Sequence, residues 1–474
     1  MRYTKIVATL GPASSSSKVI KQLIQAGVEI FRLNFSHGTH DSHRELIQLI
    51  REVSANIKME VGILQDLCGP KIRVGTMQDG EVTLEDGASL VFTNEKIEGT
   101  SDLIPCEYQS LSDDVKPGER ILLDDGSMEL VVTEVTEGKV HCTVNQGGIL
   151  KDHKGMNLPE TTVSSPALTE KDKADLQFGL QEGVDFVALS FVRDPEDLHQ
   201  LRAIIKGNGK NARIIAKIEK PEAIDKIDEI IDATDGIMVA RGDLGVEMDV
   251  ARVPILQREI IHRANAADRY VITATQMLES MIHHPYPTRA EVSDVSTAVR
   301  DGTDAVMLSG ESAAGEYPVK AVETMDHIIR VTEEHIAQKP PNWDWARINP
   351  ETEMHDAIGH AVLQLWKDMD VKVIATFTTS GGTAIYLSKS RPFSPIIVFT
   401  PNLEALRRMK LFWGVLPVLD TTIHNNYDLV HRVNRRVQEM GFAKPLDNII
   451  VIQSSGIGKV GKNNIIEIRK IEAV

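Results

Sequence analysis

Two carboxylates and a lysine stand where neighbouring apolar runs of the sequence end. Lys217-Ile218-Glu219 closes one run, and Arg241-Gly242-Asp243 follows the next. Alternation along an extended chain places Lys217 and Glu219 on the same side. Two carboxylates completed by substrate oxygens and water are typical of Mg²⁺ sites, and a lysine beside them can neutralise a transferring phosphoryl group. We therefore predict a magnesium site at Glu219 and Asp243. The alternative for Lys217 and Glu219 is a purely structural ion pair.

Arginine and oxygen-bearing residues follow an earlier apolar run that begins at Ile30. Arg32 suits bidentate binding of a phosphate group. The side chains that offer oxygen atoms for a monovalent cation are Asn34, Ser36 and Asp66. The histidines nearby are spaced by three residues: His37, His40 and His43. These histidines have no cysteine or carboxylate support, so we interpret them as exposed residues at a helix start rather than as a metal site.

Two loops near the C-terminus have the composition of phosphate-binding loops. One reads Thr378-Thr379-Ser380-Gly381-Gly382-Thr383 and follows an apolar run. Small and hydroxyl residues of this kind can hold phosphate at a helix N-terminus. The other has a G-x-G-x-x-G pattern at Gly456, Gly458 and Gly461, but the 13 residues after it are too few for a dinucleotide-binding unit. Its interpretations are a surface loop or a phosphate nest with Lys459 and Lys462.

The elements that position these residues are eight short apolar runs, which are typical of buried parallel strands. They cover residues 5–10, 30–35, 61–66, 186–191, 213–219, 236–241, 271–276 and 305–309. Amphipathic segments of helical period lie between them, for example at 15–26, 42–57 and 254–267. Strands alternating with helices in this way predict an α/β fold, a (β/α)8 TIM barrel. Its chemistry belongs at the carboxyl ends of the strands, where the residues above stand.

Two further domains are predicted around this barrel. Between the third and fourth runs, short alternating segments separated by turns predict a small all-β domain. An insertion on a strand-to-helix loop lies over the active-site face and can act as a lid. Lys339-Pro340-Pro341-Asn342 marks a linker, after which strands and helices alternate again. We expect a catalytic barrel at 1–69 and 166–338, an inserted lid at 70–165 and a C-terminal α/β regulatory domain at 339–474.

Composition restricts the class of protein. The chain has 474 residues, 42% hydrophobic and 25% charged, which fits a folded globular protein. Its net charge of −16 disfavours binding to nucleic acid or to an anionic membrane surface. Three scattered cysteines give no disulfide framework. No stretch approaches the roughly 20 apolar residues of a membrane span, and the start has no signal-peptide pattern, so we expect a cytoplasmic protein.

The ordered set of motifs resembles the pyruvate kinase family over essentially the full length. The motifs that carry the resemblance are Thr4-Lys5-Ile6-Val7, Leu10-Gly11-Pro12, Arg32 to Gly38, Gly69 to Arg73, Lys217 to Glu219, Ala240 to Gly245, Ala274 to Met281, Pro287 to Glu291 and Met307 to Glu311. The resemblance implies a barrel with an inserted β lid and a C-terminal α/β domain, Mg²⁺ or Mn²⁺ as cofactor, and a homotetramer. It implies phosphoryl transfer from phosphoenolpyruvate to ADP, giving pyruvate and ATP, the final step of glycolysis.

The resemblance also implies roles for individual residues. Lys217 would stabilise the transferring phosphoryl group and the enolate oxygen. The residues that would hold phosphate groups are Arg32 and Arg73. The backbone and side chains that would bind the substrate carboxylate belong to Arg241, Gly242, Asp243 and Thr275. The residues near the route by which the enolate is protonated are Thr275, Ser309 and Glu311, with water as the alternative donor. Those on the nucleotide side are His37, Arg73 and Lys154.

Lys71 departs from many members of the family. Members that need potassium have glutamate there, and the Lys71 ammonium can take the electrostatic role of that cation. It would do so near Asp66 and the backbone of Leu67. We predict that potassium is not required, and that a remnant of the ion site remains at Asn34, Ser36, Asp66 and Leu67.

The effector is a phosphorylated metabolite by this resemblance, because the family's activators are sugar phosphates, sugar bisphosphates or nucleotides. We predict that it binds at Thr378 to Thr383 with Lys459 and Lys462. Gly382 stands where some members carry a basic side chain, which weakens any prediction of a bisphosphate in particular.

Two other classes of protein remain open. A magnesium-dependent aldolase or lyase acting through a pyruvate enolate would use Glu219 and Asp243 but would need no nucleotide. A non-catalytic metabolite-binding protein would be expected to have lost reactive positions, yet Arg32, Lys217 and Thr275 are present. The kinase accounts for more of these residues, and dependence on ADP separates it from the lyase.

Overall fold

The structure is a computed structural model, and it describes residues 1–136, 138–340, 353–454 and 463–472. Its first elements are β1 (Lys5–Thr9), α1 (Ser17–Ala26), β2 (Ile30–Asn34), α2 (His40–Asn56) and β3 (Gly62–Asp66). Local signals set these bounds. The Ser16 side chain accepts the N–H of Val19 at the start of α1, and Gly27, with φ of 113°, adopts the left-handed conformation that ends it.

A small β domain follows β3. Its elements are β4 (Glu81–Leu84), β5 (Ser89–Thr93), β6 (Leu103–Pro105), α3 (Leu111–Asp114), β7 (Arg120–Leu123), β8 (Met128–Thr136), β9 (Lys139–Gln146), β10 (Gly148–Lys151) and β11 (Met156–Asn157). They form a six-stranded sheet in the order β11-β7-β8-β9-β5-β6 and a separate β10-β4 pair. Phe92, Leu130 and Val140 belong to a hydrophobic core of this domain's own. The inserted all-β lid predicted from the sequence agrees with this arrangement.

The barrel resumes after the lid. Its remaining elements are α4 (Glu170–Glu182), β12 (Phe186–Leu189), α5 (Pro195–Gly207), β13 (Arg213–Ile218), α6 (Pro221–Asp225), α7 (Ile227–Ala233), β14 (Gly236–Ala240), α8 (Arg241–Glu247), α9 (Val253–Ala266), β15 (Tyr270–Ala274), α10 (Arg289–Asp301), β16 (Ala305–Leu308), α11 (Gly310–Ala313) and α12 (Pro318–Gln338). The parallel strands close in the order β1-β16-β15-β14-β13-β12-β3-β2. The predicted (β/α)8 barrel is therefore confirmed, with most strands one or two residues shorter at their carboxyl ends than predicted.

A second α/β sheet follows the barrel. Its elements are α13 (Glu353–Asp368), β17 (Val371–Phe377), α14 (Gly382–Lys389), β18 (Ile396–Thr400), α15 (Leu403–Met409), β19 (Val415–Leu419), α16 (Asn426–Glu439), β20 (Asn448–Ser454) and β21 (Asn463–Lys470). The strand order is β19-β18-β17-β20-β21, and only the pairing of β20 with β21 is antiparallel among these described strands. The predicted C-terminal α/β domain is confirmed. The edge strand β21 was not predicted, and the predicted linker lies partly outside the described residues.

The interior of the barrel and the C-terminal sheet share one hydrophobic cluster. Phe186 and Tyr270 of the barrel belong to it together with Phe412 of the C-terminal part, and the rings of Tyr270 and Phe412 are 5.9 Å apart. Tyr270 is the first residue of β15. The C-terminal part therefore covers the amino-terminal end of the barrel, opposite the end where the predicted site residues stand.

Buried charges reinforce this boundary. Asp304, immediately before β16, forms ion pairs with Lys389 and with Arg391, the latter at 2.9 Å. All three side chains are at most 4% exposed. Lys5, the first residue of β1, donates from Nζ to the Val415 carbonyl at 2.9 Å. Because breaking a buried ion pair leaves an uncompensated charge, these contacts hold the two parts together. None of the described helices is both long enough and apolar enough to span a bilayer.

Candidate active site

Lys217 is the centre of a charged cluster at the carboxyl ends of the barrel strands. Its Nζ atom lies 2.6 Å from Ser190 Oγ, 2.8 Å from Glu219 Oε1 and 3.4 Å from Asp66 Oδ1. These partners stand at the ends of β12, β13 and β3, so barrel closure assembles them from distant parts of the chain. The side chain is only 11% exposed. A buried, multiply bonded ammonium of this kind is a fixed point charge.

The protonation states follow from this geometry. Burial by itself lowers the pKa of Lys217, but the negative charges of Asp66, Glu219 and Asp243 outweigh it and hold that pKa above its ordinary value. Burial by itself raises the pKa of Asp66, and the cations of Lys217 and Arg32 outweigh it and hold that pKa below its ordinary value. Lys217 is therefore an ammonium and Asp66 a carboxylate at neutral pH.

Glu219 and Asp243 follow neighbouring strands, β13 and β14. Glu219 is buried, and its Oε2 accepts the N–H of Phe191 at 2.7 Å. Burial is the largest cause that raises its pKa, and the negative charge of Asp243 raises it further, against the opposing effect of Lys217. Two carboxylates that repel each other in this way fit a divalent cation, since hard oxygen ligands are what Mg²⁺ prefers. No group of three or more His, Cys, Asp or Glu suited to a metal occurs among the described residues. Substrate oxygens and water would complete the set.

Arg32 is oriented by two side chains of the adjacent strands. Its Nε donates to Asp66 Oδ2 at 2.7 Å, and Nη1 donates to Thr9 Oγ1 at 3.1 Å. The guanidinium is thus held beside Lys217 through their common partner Asp66. Two fixed cations at one end of the barrel make a local anion site on a chain whose net charge is −16.

The turn after β15 is held in a left-handed conformation. Thr275 has φ of 67° and Gln276 has φ of 53°, values that are uncommon for residues other than glycine. The Thr275 hydroxyl accepts the N–H of Gly242, at the start of α8, at 2.8 Å. Arg241 donates to the Thr275 carbonyl at 2.7 Å and pairs with Asp294 at 2.6 Å. The Arg241 guanidinium therefore supports the turn, and the backbone N–H groups of α8 are the part of this segment suited to a carboxylate.

Glu311 fixes two strand ends rather than presenting its carboxylate to a ligand. It is fully buried, and its oxygens accept the N–H of Ser309 at 2.7 Å and of Leu278 at 3.0 Å. The Ser309 hydroxyl is buried and has no hydrogen-bond partner within the described parts of the chain. Of the residues predicted near the proton route, Ser309 thus has an available hydroxyl, and Glu311 acts through the backbone of Ser309.

Two of the residues predicted on the nucleotide side, Arg73 and Lys154, lie on the lid, and the third, His37, lies on the barrel. Arg73 donates to the His153 carbonyl at 2.8 Å, and Lys154 pairs with Asp124 at 2.8 Å. His37 is exposed, and its carbonyl bonds to the His43 ring at 2.9 Å. His40 and His43 lie in the first turn of α2, as interpreted, but the prediction that they are exposed without a carboxylate partner is wrong. His43 is buried, and His40 pairs with Asp175 at 2.7 Å.

Two domain families account for most of the chain. Residues 1–322 match the barrel domain of pyruvate kinase, and residues 356–469 match the pyruvate kinase alpha/beta domain. The chain belongs to the pyruvate kinase family of phosphotransferases. It is 44% identical to pyruvate kinase 2 of a Synechocystis species over 477 aligned residues, which cover 100% of this chain and 80% of that one. It is 43% identical to a pyruvate kinase of Staphylococcus aureus, with 99% and 81% covered.

A solved structure gives the same assignment. The crystal structure of a pyruvate kinase from Cryptosporidium parvum superposes with a TM-score of 0.90 at 35% sequence identity. The alignment covers 99% of this chain and 96% of that one. The barrel, the lid and the C-terminal sheet therefore share one family architecture.

The oxygens predicted to bind a monovalent cation have partners within the protein. Asn34 Oδ1 accepts the N–H of Ser36 at 3.1 Å, and the Leu67 carbonyl accepts the Ser190 hydroxyl at 2.9 Å. Within the described parts of the chain, Arg32 and Lys217 are the recorded ion-pair partners of Asp66. Lys71 is exposed and has its Cε near Gly155 of the lid, 3.5 Å from the position of an added Cβ. Arg32 and Lys217 are therefore the cations that pair with Asp66, and the cationic role predicted for Lys71 stays a prediction.

The predicted effector loop precedes helix α14. The Thr378 hydroxyl accepts the N–H of Gly381 at 3.1 Å, and Gly381, with φ of 94°, caps the helix. Thr378, Gly381 and Thr383 are buried, whereas Ser380 and Gly382 are exposed. Lys459 and Lys462 lie outside the described residues.

Sequence reasoning assigned no role to three residues of the site: Thr9, Ser190 and Phe191. Each stands at or just after a strand end, the position that marked the others. Ser190 bonds both to Lys217 and to the Leu67 carbonyl, and the Phe191 N–H bonds to Glu219. The signal available was the position of Ser190 after a buried strand, but its connection to Lys217 depends on the pairing of strands across the barrel.

Proposed function

We propose that the chain catalyses Mg²⁺-dependent transfer of the phosphoryl group of phosphoenolpyruvate to ADP, giving pyruvate and ATP. The observation that carries the proposal is the cation of Lys217, fixed between Asp66 and Glu219 beside the second carboxylate of Asp243. Phosphoryl transfer depends mainly on positioning and on stabilising charge on the transferring oxygens. A fixed ammonium beside a two-carboxylate cation site supplies both.

Each charged residue has a separate task in this proposal. Lys217 stabilises the transferring phosphoryl group and the enolate oxygen left behind, and Arg32 holds the phosphate. Glu219 and Asp243 would hold Mg²⁺, which when bound neutralises charge on phosphoryl oxygens. Mn²⁺ would fit the same carboxylates. Asp66 stays ionised and keeps Arg32 and Lys217 in place.

Substrate orientation and proton delivery fall to the neighbouring strand ends. The N–H groups of Arg241, Gly242 and Asp243 would bind the substrate carboxylate, which would replace the Thr275 hydroxyl as the acceptor of the Gly242 N–H. The hydroxyl of Ser309, which has no hydrogen-bond partner among the described residues, can hold the water that protonates the enolate. Glu311 contributes by fixing the backbone of Ser309.

The lid would complete the nucleotide site. Arg73 and Lys154 belong to the lid, and His37 is exposed on the barrel; these residues are proposed to contact ADP. We propose the same division of the chain as the sequence indicated: barrel at 1–69 and 166–338, lid at 70–165 and regulatory domain at 339–474. The independent core of the lid supports its treatment as a unit.

We further propose that potassium is not required. The support is that protein cations already neutralise Asp66 and that the adjacent lid segment carries Lys71. A phosphorylated activator would bind at Thr378 to Thr383, where small residues precede α14. We also propose a homotetramer, which sedimentation of the purified protein tests directly, and we propose that the protein is cytoplasmic.

The test is pyruvate formation from phosphoenolpyruvate and ADP with Mg²⁺, run with and without potassium. We expect turnover that needs ADP and is equal in the two salts. Turnover only with potassium would retain the kinase and overturn potassium independence. Pyruvate release without ADP would favour a lyase, and no turnover even with sugar phosphates or AMP added would refute the proposed reaction.

A further inference from the structure

The carboxylate of Glu247 connects the lid to the barrel. Glu247 is the last residue of α8, and its side chain is 1% exposed. Its Oε2 pairs with Lys220 Nζ at 2.8 Å, and its Oε1 accepts Asn157 Nδ2 at 2.8 Å. Lys220 belongs to the barrel and Asn157 to the lid strand β11. One buried carboxylate thus has a partner on each side of the cleft.

The ion pair ties together the two segments that carry the magnesium-site carboxylates. Lys220 directly follows Glu219, and Glu247 lies one helical turn after Asp243 in the same helix. The Lys220 side chain is 7% exposed, so the pair is nearly removed from water. Breaking a buried pair leaves an uncompensated charge, which makes this link between β13 and α8 a firm one.

The bond from Asn157 is the part that depends on the position of the lid. Gly126 of the lid also lies close to α8, because a Cβ added at Gly126 would be 3.6 Å from Val246 Cγ1. Asn157 also lies three residues after Lys154 of the nucleotide side. A small cavity of about 30 Å³ between lid and barrel is lined by Asn157, Lys220, Asp243 and Glu247, among others. Moving the lid outward breaks the Asn157 bond but leaves the Lys220 pair intact.

We infer that Asn157, Glu247 and Lys220 form a lid latch. The hydrogen bond between Asn157 and Glu247 holds the lid closed. The ion pair of Glu247 with Lys220 couples this closed lid to the positions of the two segments that carry Glu219 and Asp243. All three are positioning residues. This inference deepens the proposed function and rests on it for its catalytic consequence, whereas the latch itself can be tested without turnover.

The test measures the lid directly with Asn157→Asp, which places a second carboxylate against Glu247. Spin labels at Glu134→Cys in the lid and Gln200→Cys in the barrel, with Cys68→Ser, report the distance distribution of the unliganded full chain. We expect the ratio of open to closed lid to rise roughly tenfold, as for the loss of a hydrogen bond to a charged acceptor. The matched control is Asn145→Asp. The Asn145 amide donates to Glu129 within the lid at 3.2 Å, so this variant should leave the distances between lid and barrel unchanged.

A reversed pair separates the latch from a folding defect. Glu247→Gln in the Asn157→Asp background restores an amide facing a carboxylate, and we expect it to bring the closed population back. In the kinase assay, Asn157→Asp should raise KM for ADP and for phosphoenolpyruvate more than it lowers kcat. The reversed pair also removes the carboxylate that pairs with Lys220, so its recovery is judged on the lid distances alone. Distances unmoved by Asn157→Asp, or no recovery in the reversed pair, would overturn the latch. Absence of turnover in the unmodified chain would refute the proposed function and leave the distance result as the test of the latch.

Discussion

Replacing Lys217 by methionine tests its assigned role as a fixed charge, because the length of the side chain is kept and the cation is lost. Its Nζ lies 2.8 Å from Glu219 Oε1, a separation at which unit charges attract by about 6 kcal/mol at an effective dielectric constant of about 20. We expect kcat to fall roughly 10²- to 10³-fold, as when one preorganised donor to transition-state charge is removed. Binding of Mn²⁺ should change in the opposite direction. If a quarter of the attraction between Lys217 and Glu219 becomes available for binding the metal, the affinity for Mn²⁺ rises about tenfold.

Paramagnetic resonance of free Mn²⁺ measures the affinity without turnover, and steady-state kinetics give kcat. Lys389→Met is the matched control, since Lys389 is also a buried lysine paired with an aspartate, but at the opposite end of the barrel. That variant should lose stability while kcat and Mn²⁺ affinity stay unchanged. The reasoning is refuted if Lys217→Met weakens Mn²⁺ binding, or if both variants lose kcat to the same extent.

Three further outcomes are expected. Lys71→Glu should make activity depend on potassium, and equal rates in both salts for this variant would remove Lys71 from the argument. Asp304→Asn should lower the free energy of unfolding in urea by about 3–5 kcal/mol. Asp228→Asn, in an exposed ion pair, should lower it by less than about 1 kcal/mol. Similar losses for the two variants would contradict the role of buried ion pairs in holding the barrel to the C-terminal part. Burial lowers the pKa of Lys5 to about 8 from an ordinary 10.5. Between pH 8 and 10.5 the folded state therefore binds fewer protons than the unfolded state, and the free energy of unfolding rises with pH by up to about 3 kcal/mol. Lys5→Met should lack that rise in denaturation measured from pH 8 to 10.5, and an unchanged rise would assign it to other groups.

The barrel strands were predictable because each is a short apolar run that ends in polar residues. Burial on both faces requires such runs in a parallel barrel. Glu219 and Arg241 were assigned to strands, but the ladders end one residue earlier. Side chains at these ends turn toward ligands or neighbouring loops, and their backbone leaves the regular pairing. The site residues therefore lie where regular strand pairing stops, which is why the sequence located them but did not give the last residue of each strand.

Contacts between distant segments could not be predicted from the sequence. Two such contacts are the bond of Lys217 to Ser190 and that of Asn157 to Glu247, which join residues 27 and 90 positions apart. The sequence around each residue contains no pattern that predicts its partner. Strand β21 was missed for a different reason. Its exposed Ile465 and Ile468 give it a mixed pattern that lacks the continuous apolar run of a buried strand.

The seam between β1 and β16 has a consequence for synthesis on the ribosome. β1 pairs with β2 early, but Lys5 also pairs with Ala305 of β16, so the second neighbour of the first strand exists only after about 300 further residues. At about 5–20 residues per second, that interval is roughly 15–60 s. The lid strands, by contrast, all lie between Glu81 and Asn157 and pair among themselves. A nascent chain can therefore carry a finished lid while the apolar barrel strands around it are still an open sheet with an unpaired edge, which is the stage at which this chain most needs protection from association with others.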